Sequence, residues 1–173
     1  MSLVIYSAGV LPYTVSSTGN ILFLLGKDYD NKWSDFGGRC EALDKGDIIQ
    51  TAARECWEET LGCIYELKQL KIILKKTKYI ESKTQSGYPY YMYLLKIPYK
   101  DEYKINFKST RTFINNINID RKFKEKTDIR WFSLDAINNH QGFFTMRPVF
   151  QTTMESNINI ILQLIKTESK IQT

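Results

Sequence analysis

Histidine is almost missing from this chain, and its scarcity removes several chemistries at once. His140 is the single one, so zinc sites built on several imidazoles and hydrolytic triads with a histidine base are poor candidates. It reads as an ordinary loop residue. Cysteine is scarce too. Cys40, Cys56 and Cys63 are odd in number and cannot all pair within the chain. Cys40 has no partner at metal-ligand spacing, and Cys56 and Cys63 stand too far apart for a CxxC site, so the expected setting is reducing, intracellular and cytoplasmic. Long apolar runs are absent: none approaches the roughly 20 residues that span a bilayer, so no membrane partner is expected. Residues Met1 to Leu11 lack a basic n-region and a long h-region, and no secretory signal is expected.

What is present describes a soluble folding unit. With 173 residues, 43% of them apolar and 25% charged, residues 1–173 are expected to form a single domain with its own core. The formal net charge is +5. Much of the basic excess falls on Lys100, Lys104, Lys108, Arg111, Arg121, Lys122, Lys124 and Lys126. Such a run is either a solvated face or a field that attracts phosphates or RNA.

Apolar patterning alternates strands with helices. Leu3–Tyr13 and Ile21–Gly26 read as strands around the turn cluster Ser16–Asn20, a hairpin whose second strand is apolar enough to be buried on both faces. Asp47 caps a helix over Ile48–Leu61, with Ile49, Ala52, Ala53, Cys56 and Thr60 as its core stripe. Residues 65–82 read as one or two strands, including L-K-Q-L-K-I-I-L. Tyr90–Ile97 is a further strand. Residues 98–125 read as an extended loop with a short helix near Thr112–Ile119. Ile129–Phe132 is a strand leading into a capped helical turn at Ser133–Ile137. Pro148–Lys166 is the last helix, with a polar tail after it. The alternation implies a layered α/β or α+β architecture.

The stretch Trp33–Gly62 concentrates the chemistry. Gly37-Gly38 turn the chain, and Glu55, Glu58 and Glu59 fall at i, i+3 and i+4 of the next helix. Like charges at that spacing repel. A cluster of this kind is either solvated or holds a cation. The pattern G-G-x-x-E…A-x-R-E-x-x-E-E-T-x-G resembles the box of the Nudix hydrolases, with a strand before it and W-F-S-L-D-A-I well after it. Two spacings depart from the family form. The early acid is Asp44 or Glu41, with nine residues rather than seven between Asp44 and Arg54, and Leu61 is an extra residue before Gly62. The spacing within Arg54–Glu59 is intact.

The resemblance implies an α/β fold, a Nudix-like α/β/α sandwich with a mixed β-sheet. It implies hydrolysis of a phosphoanhydride in a phosphorylated small molecule, a nucleoside diphosphate-linked compound, with Mg²⁺ or Mn²⁺ as the cation. Mg²⁺ prefers oxygen ligands and is often shared with substrate phosphates. Glu55, Glu58 and Glu59, with the backbone of Gly38, become the metal candidates, and Arg54 the residue that orients the glutamates. Glu125 is the first choice for a further acid from a later loop, ahead of Asp128 and Glu102. Trp33, Arg39 and Tyr6 are the substrate-contact candidates. Trp33 and Tyr6 offer rings that stack on a base or sugar, as do Trp131, Phe143 and Phe144, although each such ring is more often core. Trp57, at the variable position of the box, is expected to be partly exposed. The alternatives are a catalytically weak module of this fold that binds nucleotide or RNA, and a hydrolase of capped RNA or inositol pyrophosphates using the basic segment. The oligomeric state is not readable from the pattern.

Overall fold

The computed structural model describes residues 5–139 and 145–170. The expectations placed on Leu3, Val4, His140, Phe143 and Phe144 lie outside the described residues. In chain order the elements are β1 (Ser7–Val15), β2 (Ile21–Asp28), β3 (Lys32–Ser34), β4 (Phe36–Arg39), α1 (Ile48–Glu59), α2 (Leu67–Leu74), β5 (Tyr79–Lys83), β6 (Pro89–Lys96), α3 (Glu102–Asn115), β7 (Lys126–Ser133), α4 (Leu134–Asn138), β8 (Thr145–Met146) and α5 (Pro148–Lys170). Short 3₁₀ turns lie at Ala42–Asp44 and Arg121–Lys124.

The strands form one mixed sheet ordered β5-β6-β1-β2-β3-β8, with β4 against β1 and β7 against β2. β1 runs parallel to β6 along one edge. Along its other edge it pairs antiparallel, first with β4 and then with β2. The expected hairpin is therefore present. The strand does not stop at Tyr13, where the sequence reading ends it, but continues to Val15 with Pro12 inside it. The Tyr13 carbonyl accepts from Ile97 N–H on the β6 side, so the nitrogen of Pro12 faces the opposite edge. There it falls between the last β4 pair at Val10 and the first β2 pair at Tyr13. A ladder position with no partner is one where proline removes nothing.

Alternation along the strands divides the core between the two faces of the sheet. Ala8, Val10, Leu24, Tyr93 and Leu95 face α1, α2 and α3, where they meet Ala52, Ala53, Cys56, Leu70, Leu74 and Phe107. Leu11, Tyr13, Phe23, Leu25, Met92 and Leu94 face the other way, toward Ile137, Phe150, Met154, Ile161 and Ile165 of α4 and α5. The result is the expected α/β/α sandwich. Among the described residues no helix is long and apolar enough to cross a membrane.

Three segments correct the sequence reading. Gly37 and Gly38 do not turn the chain but lie within β4, paired with Gly9 and Ala8 of β1. L-K-Q-L-K-I-I-L is the helix α2, not a strand. Glu66 and Gln69 form a reciprocal capping box at its start, and Leu70 and Leu74, four apart, are both buried. Residues 98–125 are not mainly loop. Most of the first half is α3, held by the buried Tyr103, Phe107 and Ile114 beneath a surface that mixes Lys104, Lys108 and Arg111 with the exposed Ile105 and Phe113. A narrow apolar stripe in a basic segment is a weak periodic signal, and tertiary packing supplies what local propensity does not. The capped turn after Ser133 is as expected, with its hydroxyl accepting from Ala136 N–H. The last helix runs four residues beyond Lys166, to Lys170.

If α3 is part of the fold, Phe107→Ala lowers the free energy of unfolding by about 3–5 kcal/mol. Urea denaturation monitored by circular dichroism measures this. A loss below about 1 kcal/mol, the range of surface changes, would show that α3 adds little to the core.

Candidate functional site

Helix α1 carries the acidic cluster, and its small residues bring it close to the sheet. Asp47 caps it by accepting from Ile49 N–H. Ala52, Ala53 and Cys56 are fully buried, which draws the neighbouring face, with Arg54, Glu55, Glu58 and Glu59, out of solvent as well. The helix ends at Glu59, two residues before the expected end. Leu61 and Gly62 both take left-handed φ, 56° and 69°, so the extra residue is absorbed in the C-terminal turn and leaves the helical spacing of the glutamates untouched.

Arg54 is the hub. Its Nε and Nη2 donate to the two oxygens of Asp44 at 3.0 and 2.9 Å. Nη1 donates to Glu55 at 2.8 Å and Glu58 at 3.2 Å, and Nη2 also donates to the Arg39 carbonyl at 3.1 Å. Asp44 is fully buried and accepts further from Thr51 Oγ1 and the Glu41 amide. Burial by itself raises a carboxyl, but the Arg54 hydrogen bonds, with those of Glu41 and Thr51, hold Asp44 below the ordinary range. Glu41 is half-exposed and 3.4 Å from Arg54. The early acid that anchors the arginine is therefore Asp44, with Glu41 at the rim.

Strand β4 brings its glycines against this face. Gly37 N–H donates to Glu59 Oε2 at 2.8 Å. A Cβ on Gly38 would lie 2.6 Å from the Glu55 carboxylate, and one on Gly37 would lie 2.6 Å from the Gly9 Cα of β1. Only bare backbone fits at either position.

The protein's own cations meet two of the glutamates from the other side. Lys122 Nζ lies 2.7 Å from Glu58 Oε1, and the buried Lys126 Nζ lies 3.5 Å from Glu59 Oε1. At Glu59 the lysine does not offset desolvation. Burial pushes Glu55 up to about 7 and Glu59 up to about 8, and the charges of the neighbouring acids add to both. Glu125 is among those acids. It is exposed, and its charge adds to the rise of both glutamates. Among the described residues no three carboxylate, imidazole or thiolate groups converge as a ready-formed metal site. The three glutamates share a face, yet Arg54, Lys122 and Lys126 draw their oxygens in different directions.

Beside the glycine pair lies a cavity of about 320 Å³, lined in part by Asp35, Gly37, Gly38, Arg39, Tyr90 and Arg147. The Tyr90 hydroxyl donates to the buried Asp35 carboxylate, and burial pushes Asp35 up to about 6. Of the substrate-contact candidates only Arg39 borders this cavity. Trp33 is 5% exposed; its ring packs edge-on against Phe132, between Lys27 and Arg130, and lines a different depression. Tyr6 is a core residue: it is 3% exposed and its hydroxyl bonds to Thr51. Trp131 stacks on Tyr99, and Asp128 is taken up by Ile129 N–H and Arg130. Glu102 opens α3 and is exposed. Trp57 is half-buried against Phe123, as its partly exposed position suggests.

The NUDIX domain family model matches residues 6–153. The chain belongs to the Nudix family. No curated protein sequence matches it. Solved structures agree with the family at the level of fold. A Nudix hydrolase from M. Smegmatis, RenU, is 11% identical with a TM-score of 0.53, covering 91% of this chain and 86% of its own. The Nudix domain of Shewanella oneidensis NrtR, solved with ADP ribose, is 14% identical with a TM-score of 0.50, covering 97% and 88%. The C-terminal domain of mouse MUTYH, solved with human PCNA, is 12% identical with a TM-score of 0.52, covering 96% and 90%.

Several residues around the Nudix helix carried no signal in the sequence. Lys126 and Lys122 sit in the charge run R-K-F-K-E-K, which reads as solvated. Asp35 and Tyr90 are far apart in sequence and meet only through the sheet. The one available hint was Asp35 itself, an acid between Ser34 and Phe36 just ahead of two glycines.

The raised carboxyls fix a pH dependence. In the unfolded chain the glutamates ionise near 4.5, whereas in the native cluster Glu59 holds its proton to about 8. The native state therefore binds more protons across that window, and stability falls as pH rises through it. Without divalent cations, Glu59→Gln has a shallower decline of Tm between pH 5 and 8 than the wild type. Parallel slopes in thermal scans would show no ionisation penalty at Glu59.

Proposed function

We propose that the chain hydrolyses a phosphoanhydride bond in a nucleoside diphosphate-linked substrate, with Mg²⁺ or Mn²⁺ as its cofactor. The observation that carries this reading is the pair of buried glutamates, Glu55 and Glu59. Both are pushed toward or above neutrality and set against the bare backbone of Gly37 and Gly38. All the donors are oxygens, as a hard cation requires. Glu55 and Glu59, with Glu58, Glu125 and the backbone of Gly38, would hold it. When bound, the cation neutralises substrate phosphate charge and activates water.

The protein's own groups supply the rest. Arg54 fixes two of the three glutamates and is itself held by Asp44, so it orients ligands rather than touching substrate. Arg39 and Arg147 line the cavity beside the glycines and suit phosphate oxygens. Asp35 and Tyr90 offer an acceptor and a hydroxyl at its wall for a polar edge of the leaving or retained group. The shared fold of the Shewanella NrtR domain, solved with ADP ribose, is compatible with a nucleotide there.

Glu58→Gln and Glu59→Gln each lower Mg²⁺-dependent phosphate release from a nucleotide panel by at least about 10²-fold, the range expected for losing a proton-transfer or metal-ligating group. Far-UV circular dichroism stays that of the wild type. Near-full turnover in both variants would sink the hydrolase reading.

One observation favours a second reading, a module that binds nucleotide or RNA without turnover. Lys122 and Lys126 already engage Glu58 and Glu59. The basic segment around α3, with Lys122 against the cluster, suits RNA or a highly phosphorylated ligand such as an inositol pyrophosphate. If RNA binds there, its affinity falls steeply between 50 and 200 mM salt, by about 10³-fold for six or more phosphate contacts. A flat response in a fluorescence titration points to a small nucleotide instead.

A further inference from the structure

We infer that Lys126 is a positioning residue for Glu59, a cation built into the fold that fixes this carboxylate against the Gly37 amide. Four elements converge on it. The side chain comes from the first residue of β7 and is 1% exposed. Its Nζ donates to Asp28 Oδ1 of β2 at 2.7 Å and to Ser34 Oγ of β3 at 2.8 Å, and it faces Glu59 Oε1 of α1 at 3.5 Å. Lysine is almost never fully buried unless paired; here the partners are Asp28 and Glu59.

The slot for the lysine is made by a strand glycine. A Cβ on Gly26 would lie 2.9 Å from Lys126 Cδ and 2.7 Å from the Phe36 ring. The backbone is pinned as well. The Lys126 carbonyl accepts from Arg111 of α3, whose guanidinium also bonds the Lys124 carbonyl and the Tyr29 hydroxyl. Glu59 is thereby held at both oxygens, Oε2 by the Gly37 N–H and Oε1 by the ammonium. A lysine that served only to pair Asp28 would have no need of the α1 carboxylate. Neutralising Asp28 separates the two roles: it removes the need for the lysine in one and leaves it in the other.

This inference rests on the hydrolase reading for its kinetic consequence but not for its second readout. The experiment compares the full chain with Lys126→Met, Lys126→Arg and the double variant Lys126→Met/Asp28→Asn. Two quantities are measured: steady-state turnover of the best nucleotide substrate, and the rise in Tm on adding Mg²⁺. The expected result for Lys126→Met is a kcat at least about tenfold lower with KM within about threefold, the pattern of an interaction needed in the transition state. The Mg²⁺-induced rise in Tm becomes larger than in the wild type, because Glu59 has lost its resident cation. Lys126→Arg recovers part of both, and the double variant keeps both changes.

Wild-type values in Lys126→Met, or their return in the double variant, would overturn the inference and leave Lys126 as a partner of Asp28 alone. If Lys126→Met does not fold, Ser34→Ala, which removes one anchor of the ammonium, replaces it. A drop in kcat of at least about threefold at constant KM supports the role, and an unchanged kcat overturns it. A wild-type protein with no turnover on any substrate defeats the hydrolase reading, while a larger Mg²⁺ response in Lys126→Met still supports the inference.

Discussion

A guanidinium buried among acids is the constraint on which this site depends. Arg54 lies with its side chain almost wholly out of water and engages Asp44, Glu55, Glu58 and the Arg39 carbonyl at once. A charge in that position is tolerable only while its donors are matched, since an unpaired buried charge costs several kcal/mol. The loop between Gly38 and α1 is shaped to meet that need. Asp44 turns inward as a fork for the arginine, Thr51 and the Glu41 amide complete the carboxylate, and Tyr6 closes on Thr51. What the arginine gains from Asp44 it passes to the helix, because the same guanidinium fixes an oxygen of Glu55 and one of Glu58.

The charge balance explains how a face can be both paired and short of positive charge. Arg54, Lys122 and Lys126 each approach the glutamates, yet Glu55 and Glu59 still sit well above the ordinary carboxylate range. Desolvation outweighs the partners. The three cations are also unequal. Arg54 and Lys126 are locked in the interior, whereas Lys122 stands on a short 3₁₀ turn and is 31% exposed. The contact at Glu58 is the one that solvent reaches, and it does so from the lysine's side, since the carboxylate itself is buried. On the proposed reading, Lys122 is therefore the partner that a bound cation would replace, while Arg54 and Lys126 stay in place.

Much of the fold and half of the site were legible in the sequence, and the division tracks physical range. The α1 helix was readable because its cap, its small-residue stripe and its i, i+3, i+4 glutamates all lie within 13 residues of one another. The β1–β2 hairpin was readable for the same local reason. The α2 helix was misread because eight residues hold too few turns to separate a 3.6 from a 2.0 period, and α3 because lysines conceal a stripe of three apolar residues. Lys126 was unreadable in principle. Its meaning comes from Asp28 and Ser34, more than 90 positions earlier, and from the space left by Gly26. Tyr6 and Trp33 follow the commoner expectation for such rings: Tyr6 is core and bonded to Thr51, and Trp33 packs edge-on against Phe132.

The glycine pair ties these parts together. Gly37 and Gly38 form a wall two residues thick, with the glutamates on one side and the Asp35–Tyr90 cavity bordering the same backbone. A side chain at Gly38 would strike Glu55, and one at Gly37 would push β4 away from Gly9 and take the Gly37 amide with it. The bare wall is what lets the acids and the cavity share one stretch of backbone. Once it is bare, nothing in β4 itself can hold Glu59 in place except a single N–H. The second hold must then come from another strand, and the lysine that opens β7 is the residue the topology puts there.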